Sequence, residues 1–153
     1  MLPRPYQETL VERAVSALSE YGNTLAIAPT GSGKTLMISW LLASLGGRQM
    51  ILQHREELVA QNREKFHRIN PDRSSSVYGL GIKDPSGDTI FGMAQTLRRN
   101  GGMEILPPLD VLVIDEAHHT RSETYQRIVD AARSRNPNVL IAGFTATASR
   151  GDK

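Results

Sequence analysis

Ala28-Pro-Thr-Gly-Ser-Gly-Lys-Thr35 is the stretch that most restricts what this chain can fold into. A strand-like run over 24–28 leads into it, and the amphipathic run Leu36-Met-Ile-Ser-Trp-Leu-Leu42 leads out. Gly31 and Gly33 free the backbone on either side of Ser32, so that successive N–H groups can turn toward one centre. The helix that follows adds the positive end of its dipole at the same place. Such a nest of donors suits phosphate oxygens. Within it, Lys34 is spaced to reach β- and γ-phosphates, and the Thr35 hydroxyl to ligate Mg²⁺. Thr30 lies inside the same loop. Ala28 stands at the first glycine of the G-x-x-x-x-G-K-S/T spacing and is small enough to keep the turn. A connector that binds nothing would not need strand, loop, Lys-Thr pair and helix in register. The expectation is a nucleotide-binding strand–loop–helix unit.

The rest of the chain supplies the same alternation. Tyr6, Leu10, Val11, Ala14, Val15, Leu18 and Tyr21 recur at helical spacing, with Gly22 placed to end that helix. Strand-like runs follow at 24–28, 49–53, 111–115 and 139–144, with weaker ones near 76–79 and 89–92. Helical segments are expected near 34–45, 56–69, 93–99 and 122–134. Short, wholly apolar runs such as Val111-Leu-Val-Ile114 suit a parallel sheet covered on both faces. The expected fold is therefore α/β, a central mostly parallel sheet in one domain of 153 residues. Residues 70–88 read as an irregular surface excursion.

Composition mainly excludes. With no cysteine there are no disulfides and no thiolate metal sites. Met1-Leu-Pro-Arg-Pro-Tyr6 does not open a signal peptide, and no run approaches the ~20 apolar residues of a membrane span. A soluble, intracellular, cytoplasmic protein with no membrane partner is expected. A net charge of +2, with the basic residues scattered, does not point to nucleic acid by itself.

Asp115 and Glu116 follow directly on the apolar run ending at Ile114. In an open parallel sheet ligands bind at the carboxyl ends of strands, which is also where the 28–35 loop must lie. Asp115 can then serve the metal, while Glu116 can orient or deprotonate an attacking water. Beside a phosphate loop this pair favours hydrolysis; alone it would read as a polar strand end.

Asp115-Glu-Ala-His118 resembles the DEAH box of superfamily-two helicases, and other motifs of that family's first motor domain stand in order around it. Arg4-Pro-Tyr-Gln7 is similar to the adenine-reading Q motif, and 28–35 to motif I. Gln53-His-Arg-Glu-Glu-Leu58 is similar to motif Ia, Gly92-Met-Ala-Gln-Thr-Leu97 to the Ib/Ic region, and Thr145-Ala-Thr147 to motif III. The resemblance covers nearly the whole chain. It leans to the DNA-directed branch: restriction-enzyme translocase subunits, bacterial repair helicases and phage helicases. It implies a three-layer RecA-like P-loop NTPase domain over 1–153, with ATP and Mg²⁺ as cofactors. A complete motor of this family continues past motif III into a second RecA-like domain, which these residues do not include. Ala148 stands where this branch usually has proline.

The resemblance also distributes roles. Arg4 and Gln7 would face adenine, Thr30 to Thr35 the phosphates, and Thr35, Asp115 and Glu116 the metal, with Lys34 and Glu116 catalytic. His54, Arg55, Gln95 and Thr96 would touch a nucleic-acid backbone, DNA rather than RNA, setting register without reading sequence. His118, Thr145 and Thr147 would couple the two sites. Bland readings stand beside these. Tyr6 can be a core aromatic, His54 and Arg55 ordinary loop polarity, and Arg98-Arg99 a solvated helix face. Trp40 reads as core rather than as a base-stacking platform. His118 and His119, with only His54 and His67 elsewhere, fall short of a zinc site. Two functions compete: an ATP-driven nucleic-acid motor, and a nucleotide-dependent switch without a nucleic-acid track. A small-molecule kinase would leave Arg4-Pro-Tyr-Gln7 and Thr145-Ala-Thr147 unexplained.

Overall fold

The structure is a computed structural model that describes residues 2–29, 31–99, 102–117 and 122–146. Helix α1 (Pro5–Tyr21) starts on a proline, whose fixed φ suits a first turn and whose missing N–H costs nothing there. It buries Val11, Ala14 and Leu18 along one stripe. It stops at Gly22, where φ is 79° and the backbone N–H caps the Leu18 carbonyl at 2.9 Å. Strand β1 (Asn23–Ile27) leads through the glycine loop into α2 (Lys34–Leu45), and β2 (Gln49–Gln53) follows. A 3-10 turn (Glu56–Leu58) runs into α3 (Val59–Ile69). After it come β3 (Ser75–Gly79), β4 (Ile82–Lys83), β5 (Thr89–Met93) and the single turn α4 (Ala94–Leu97). Strand β6 (Val111–Asp115), helix α5 (Glu123–Arg135) and strand β7 (Leu140–Thr145) complete the described elements.

The strands form one sheet in the order β1-β7-β6-β2-β5-β3-β4, parallel throughout except for the β3–β4 pair. Because side chains alternate along a strand, each central strand feeds two cores. Ile51, Val111, Val113 and Phe144 pack with Leu18, Met37, Leu41, Leu42 and Phe66 of α1, α2 and α3. Met50, Leu52, Leu112, Ile114 and Ile141 pack on the other face with Leu97, Tyr125, Ile128 and Ala132 of α4 and α5. The result is the expected three-layer α/β domain. Trp40 is half-buried against the first core, as its apolar neighbours suggest.

Two stretches differ from the sequence reading. Within residues 70–88 the weak strand expected near 76–79 forms as β3, but the rest is less irregular than expected, since β4 pairs with it through a turn at Leu80 and Gly81 with φ of 56° and 79°. Serines form weak strands, yet Ser75 is held from α3: Arg63 donates to its carbonyl and hydroxyl, and His67 Nε2 lies 2.7 Å from that hydroxyl. Tertiary contacts override propensity there. The helix expected over 93–99 shrinks to one turn at 94–97, since β5 runs on to Met93.

Candidate active site

Strands β1, β2, β5, β6 and β7 all point their carboxyl ends to one edge of the sheet, and the predicted site residues gather along it. Gly31 and Gly33 both have φ of 84°, a left-handed backbone that glycine adopts without penalty. Gly33 is constrained a second way: a Cβ there would come within 2.5 Å of Gln7 Nε2. Gln7 is buried beneath the loop, where its Nε2 donates to the Ser32 carbonyl at 2.9 Å. Tyr6 is half-exposed rather than a core aromatic, and its hydroxyl donates to the same carbonyl at 2.7 Å. The Oε1 of Gln7 in turn accepts the Arg4 backbone N–H at 2.8 Å, closing the first turn of α1. The Q-motif segment thus props the phosphate loop from below. One N–H of the Gln7 amide and one lone pair remain for a base edge.

Lys34, the first residue of α2, holds the two carboxylates at the end of β6. Its Nζ lies 2.8 Å from Asp115 Oδ1 and 3.1 Å from Glu116 Oε1. Burial opposes the lysine's charge, but these carboxylates outweigh it and lift Lys34 above the ordinary lysine value. Glu116 has φ of 61°, uncommon for any residue but glycine, asparagine or aspartate, and therefore a point of backbone strain beside the charge cluster. Thr35 donates through Oγ1 to Asn62 Oδ1 at 3.2 Å. A small cavity of about 70 Å³ lies among Lys34, Thr35, Gln53, His54, Arg55, Leu58, Asn62, Asp115 and Glu116. It sets the motif-Ia turn against the loop and the carboxylates.

The residues fit a phosphate and a divalent cation. Ser32 Oγ is buried in the loop without a hydrogen-bond partner, and a buried hydroxyl so left costs stability unless a ligand takes it up. One ammonium and two carboxylates leave the Lys34–Asp115–Glu116 cluster with one net negative charge. Hard oxygen donors of that charge suit Mg²⁺.

At the coupling positions, the Thr145 carbonyl accepts the Ala28 N–H at 2.8 Å, tying the end of β7 to the start of the phosphate loop. Ala28 itself is buried at the edge of the core, so a small residue suffices there. Thr30, His118 and Thr147 lie outside the described residues. At the expected nucleic-acid positions, Gln95 Nε2 donates to the His54 carbonyl at 3.1 Å, joining the turns after β2 and β5. Arg55 is exposed and paired with Glu57 at 3.2 Å, and Thr96 is half-buried on α4.

Sequence reasoning missed three neighbours of the site. Asn62 carried a readable signal, because it shares the inward face of α3 with Val59 and Phe66 at helical spacing. A polar residue on an apolar face needs a partner, and Thr35 is that partner. Gln53 ends an otherwise apolar strand, is buried, and leaves Oε1 without a hydrogen-bond partner. Tyr125 reaches toward the cluster from α5, which no local pattern foretells. Burial, then Asp115 and Glu116, push its phenol up to about 12.

The profile of the family described as Type III restriction enzyme, res subunit, matches residues 1–150. The chain belongs to that family. This res-subunit domain is 29% identical over 167 residues to Saccharomyces cerevisiae IRC3, which carries the name of an ATP-dependent helicase. That match covers 98% of this chain and 24% of the relative. A Haloarcula marismortui protein, Rad25, named for a DNA 3'-5' helicase, is 30% identical over 155 residues, covering 96% and 23%. The Pyrococcus furiosus Hef helicase domain superposes with a TM-score of 0.75 at 26% identity, covering 95% of this chain and 33% of that one. The res-subunit domain described here is thus a RecA-like domain of the superfamily-two helicase type. It spans about a quarter of the length of the curated relatives it matches. No helix among the described residues is long and apolar enough to cross a membrane.

Proposed function

We propose that this domain binds ATP and Mg²⁺ on the 28–35 loop, and that the intact protein hydrolyses ATP to ADP and phosphate to move along nucleic acid. The observation that carries the reading is Lys34 bridging Asp115 and Glu116 at 2.8 and 3.1 Å, with Thr35 beside it. Loop, metal ligands and candidate base are thereby gathered at one sheet edge. Arg4 and Gln7 would bind the base, the N–H groups of Thr30 to Thr35 the phosphates, and Thr35 and Asp115 the metal, with Glu116 beside it. Mg²⁺, when bound, supplies charge neutralisation on the phosphate oxygens. Lys34 has a second anion to serve, since an ammonium held by carboxylates can equally hold phosphate. Glu116, whose carboxylate lies 3.1 Å from the Lys34 ammonium, accepts the proton of the attacking water.

His54, Arg55, Gln95 and Thr96 form the nucleic-acid side, supported by the bond that joins their two turns. DNA is favoured over RNA because a relative as near as Rad25 is named for a DNA helicase. A second RecA-like domain completes the site across this sheet edge and provides the cation that phosphoryl-transfer sites use in the transition state, worth about 10³–10⁵ in rate. His118, Thr145 and Thr147 couple the two sites. The ATP that such a motor consumes calls for an intracellular setting.

The test is ATP turnover by the intact protein with and without single-stranded or duplex DNA. Turnover stimulated by DNA is expected. Turnover indifferent to DNA and RNA alike would favour the nucleotide-dependent switch, and no turnover with either would remove the hydrolase reading.

A further inference from the structure

Asn62 belongs to none of the motifs that point to the nucleotide, yet it touches the one hydroxyl that the metal requires. It lies on α3 and is 7% exposed. Thr35 Oγ1 donates its hydrogen to Asn62 Oδ1 at 3.2 Å. A threonine hydroxyl has one hydrogen and two lone pairs. As a metal ligand it must turn a lone pair to the cation, so its hydrogen has to be taken up on the far side. The other groups nearby are committed elsewhere or lack a bond to Thr35. Asp115 Oδ1 faces the Lys34 ammonium at 2.8 Å, and Ser39 Oγ donates to the Thr35 carbonyl at 2.9 Å and takes no hydrogen from Thr35 Oγ1. Gln53 Oε1 makes no hydrogen bond to it.

Behind this contact, Thr35, Asn62, Gln53, Ser39 and Asp115 share a narrow pocket of about 10 Å³ with Phe66 and other apolar walls. That space is at the lower limit for a single water. On this side no other described residue takes the Thr35 hydrogen, and the hydroxyl's orientation depends on the acceptor that α3 presents.

We propose that Asn62 is a positioning residue that fixes the Thr35 hydroxyl for Mg²⁺, an inference that rests on the nucleotide and metal reading of the 28–35 loop. Groups that orient a metal ligand from behind cost 10–100-fold in metal affinity when removed. Asn62→Leu keeps the branched outline with bulkier ends and removes the acceptor, whereas Asn62→Asp keeps the acceptor.

The experiment titrates a fluorescent ATP analogue against the intact protein, once with Mg²⁺ varied and once in chelator. For Asn62→Leu, half-saturation by Mg²⁺ should rise about tenfold, while affinity in chelator stays at the wild-type value. Asn62→Asp should restore the metal dependence to within about threefold of wild type. In a Thr35→Ala background, Asn62→Leu should add nothing, because the hydroxyl it orients is gone. If the leucine variant does not fold, Asn62→Ala is titrated in its place with the same expectation. An unchanged Mg²⁺ dependence overturns the proposal, and so does an equal loss of affinity with and without metal, which marks a merely structural role. An unaltered protein that binds no tighter with Mg²⁺ than without it overturns the site reading as well.

Discussion

Lys34 Nζ stands 2.8 Å from Asp115 Oδ1, and this ion pair fastens the phosphate loop to the end of β6. The carboxylate is largely buried, with 12% of its side chain exposed. A charge so placed depends on its counter-ion, because the cost of desolvation is met only while the pair is intact. Lys34 therefore has a structural duty in addition to the chemical one that its place in the loop suggests.

Lys34→Ala should abolish nucleotide binding and also destabilise the fold, by about 1–3 kcal/mol. Combining Lys34→Ala with Asp115→Asn should recover most of the stability and none of the binding. Denaturant unfolding beside titration with a fluorescent ATP analogue separates the two effects. A single variant as stable as wild type would show that the ion pair carries no weight in the fold.

The pH dependence of that ion pair has a definite sign. Lys34 is raised above its ordinary 10.5 in the folded protein. A raised lysine contributes stability that is complete below the unfolded value and is lost as pH rises through the folded one. The stability difference between wild type and Lys34→Met should therefore be level from about pH 7 to 9 and shrink only at strongly alkaline pH. Unfolding curves collected across that range check it, and a decline already complete by about pH 9 would contradict the assignment.

Glu116→Gln should keep ATP binding in the intact protein and lose most turnover, since an amide of the same shape cannot accept the proton of water. A loss smaller than about tenfold, or ~1.4 kcal/mol of barrier, would deny Glu116 the role of base. Steady-state phosphate release measures it.

Gln7→Ala removes two bonds at once, the one to the Arg4 N–H and the one to the Ser32 carbonyl. The variant should lose about 1–2 kcal/mol of stability and some preference for ATP over GTP. Gln7→Glu keeps the acceptor for Arg4 but sets an oxygen against the Ser32 carbonyl, so it should weaken ATP binding further than alanine does. Competition between the two nucleotides reads out the preference. Alanine and glutamate variants that bind ATP as wild type does would show that the prop under the loop is dispensable.

Much of this was legible because local pattern and final position coincide. Val111-Leu-Val-Ile114 can only be a strand covered on both faces, so Asp115 and Glu116 had to emerge at a sheet edge. The glycines of 28–35 announced positive φ, and both Gly31 and Gly33 adopt it. What stayed hidden depends on contacts between distant segments. Ser75 extends the weak strand because α3 grips it, Gln7 turns under the loop because Gly33 leaves room, and Asn62 meets Thr35 only once α2 and α3 pack. The left-handed Glu116 had no sequence signal at all, since nothing about a glutamate after an aspartate requires it.

The last prediction concerns the turn after β2, where Arg55 Nη2 lies 3.2 Å from Glu57 Oε2 and both side chains are more than half exposed. Glu57 is held below the ordinary glutamate value, first by its own backbone N–H and then by Arg55. An exposed pair of this kind adds little to stability. Its effect is instead on what Arg55 can offer to a phosphate. The carboxylate competes with the nucleic-acid backbone for one guanidinium, so Glu57→Gln should tighten binding of single-stranded DNA by the intact protein at low salt. Arg55→Ala should weaken binding uniformly across sequences and lower the slope of log affinity against log salt by about one. In the Arg55→Ala background, Glu57→Gln should lose most of its effect, because the residue it liberates is gone. Fluorescence anisotropy over a salt series provides all three comparisons. An Arg55→Ala slope equal to that of wild type would remove Arg55 from the nucleic-acid track and leave the turn to its bond between His54 and Gln95.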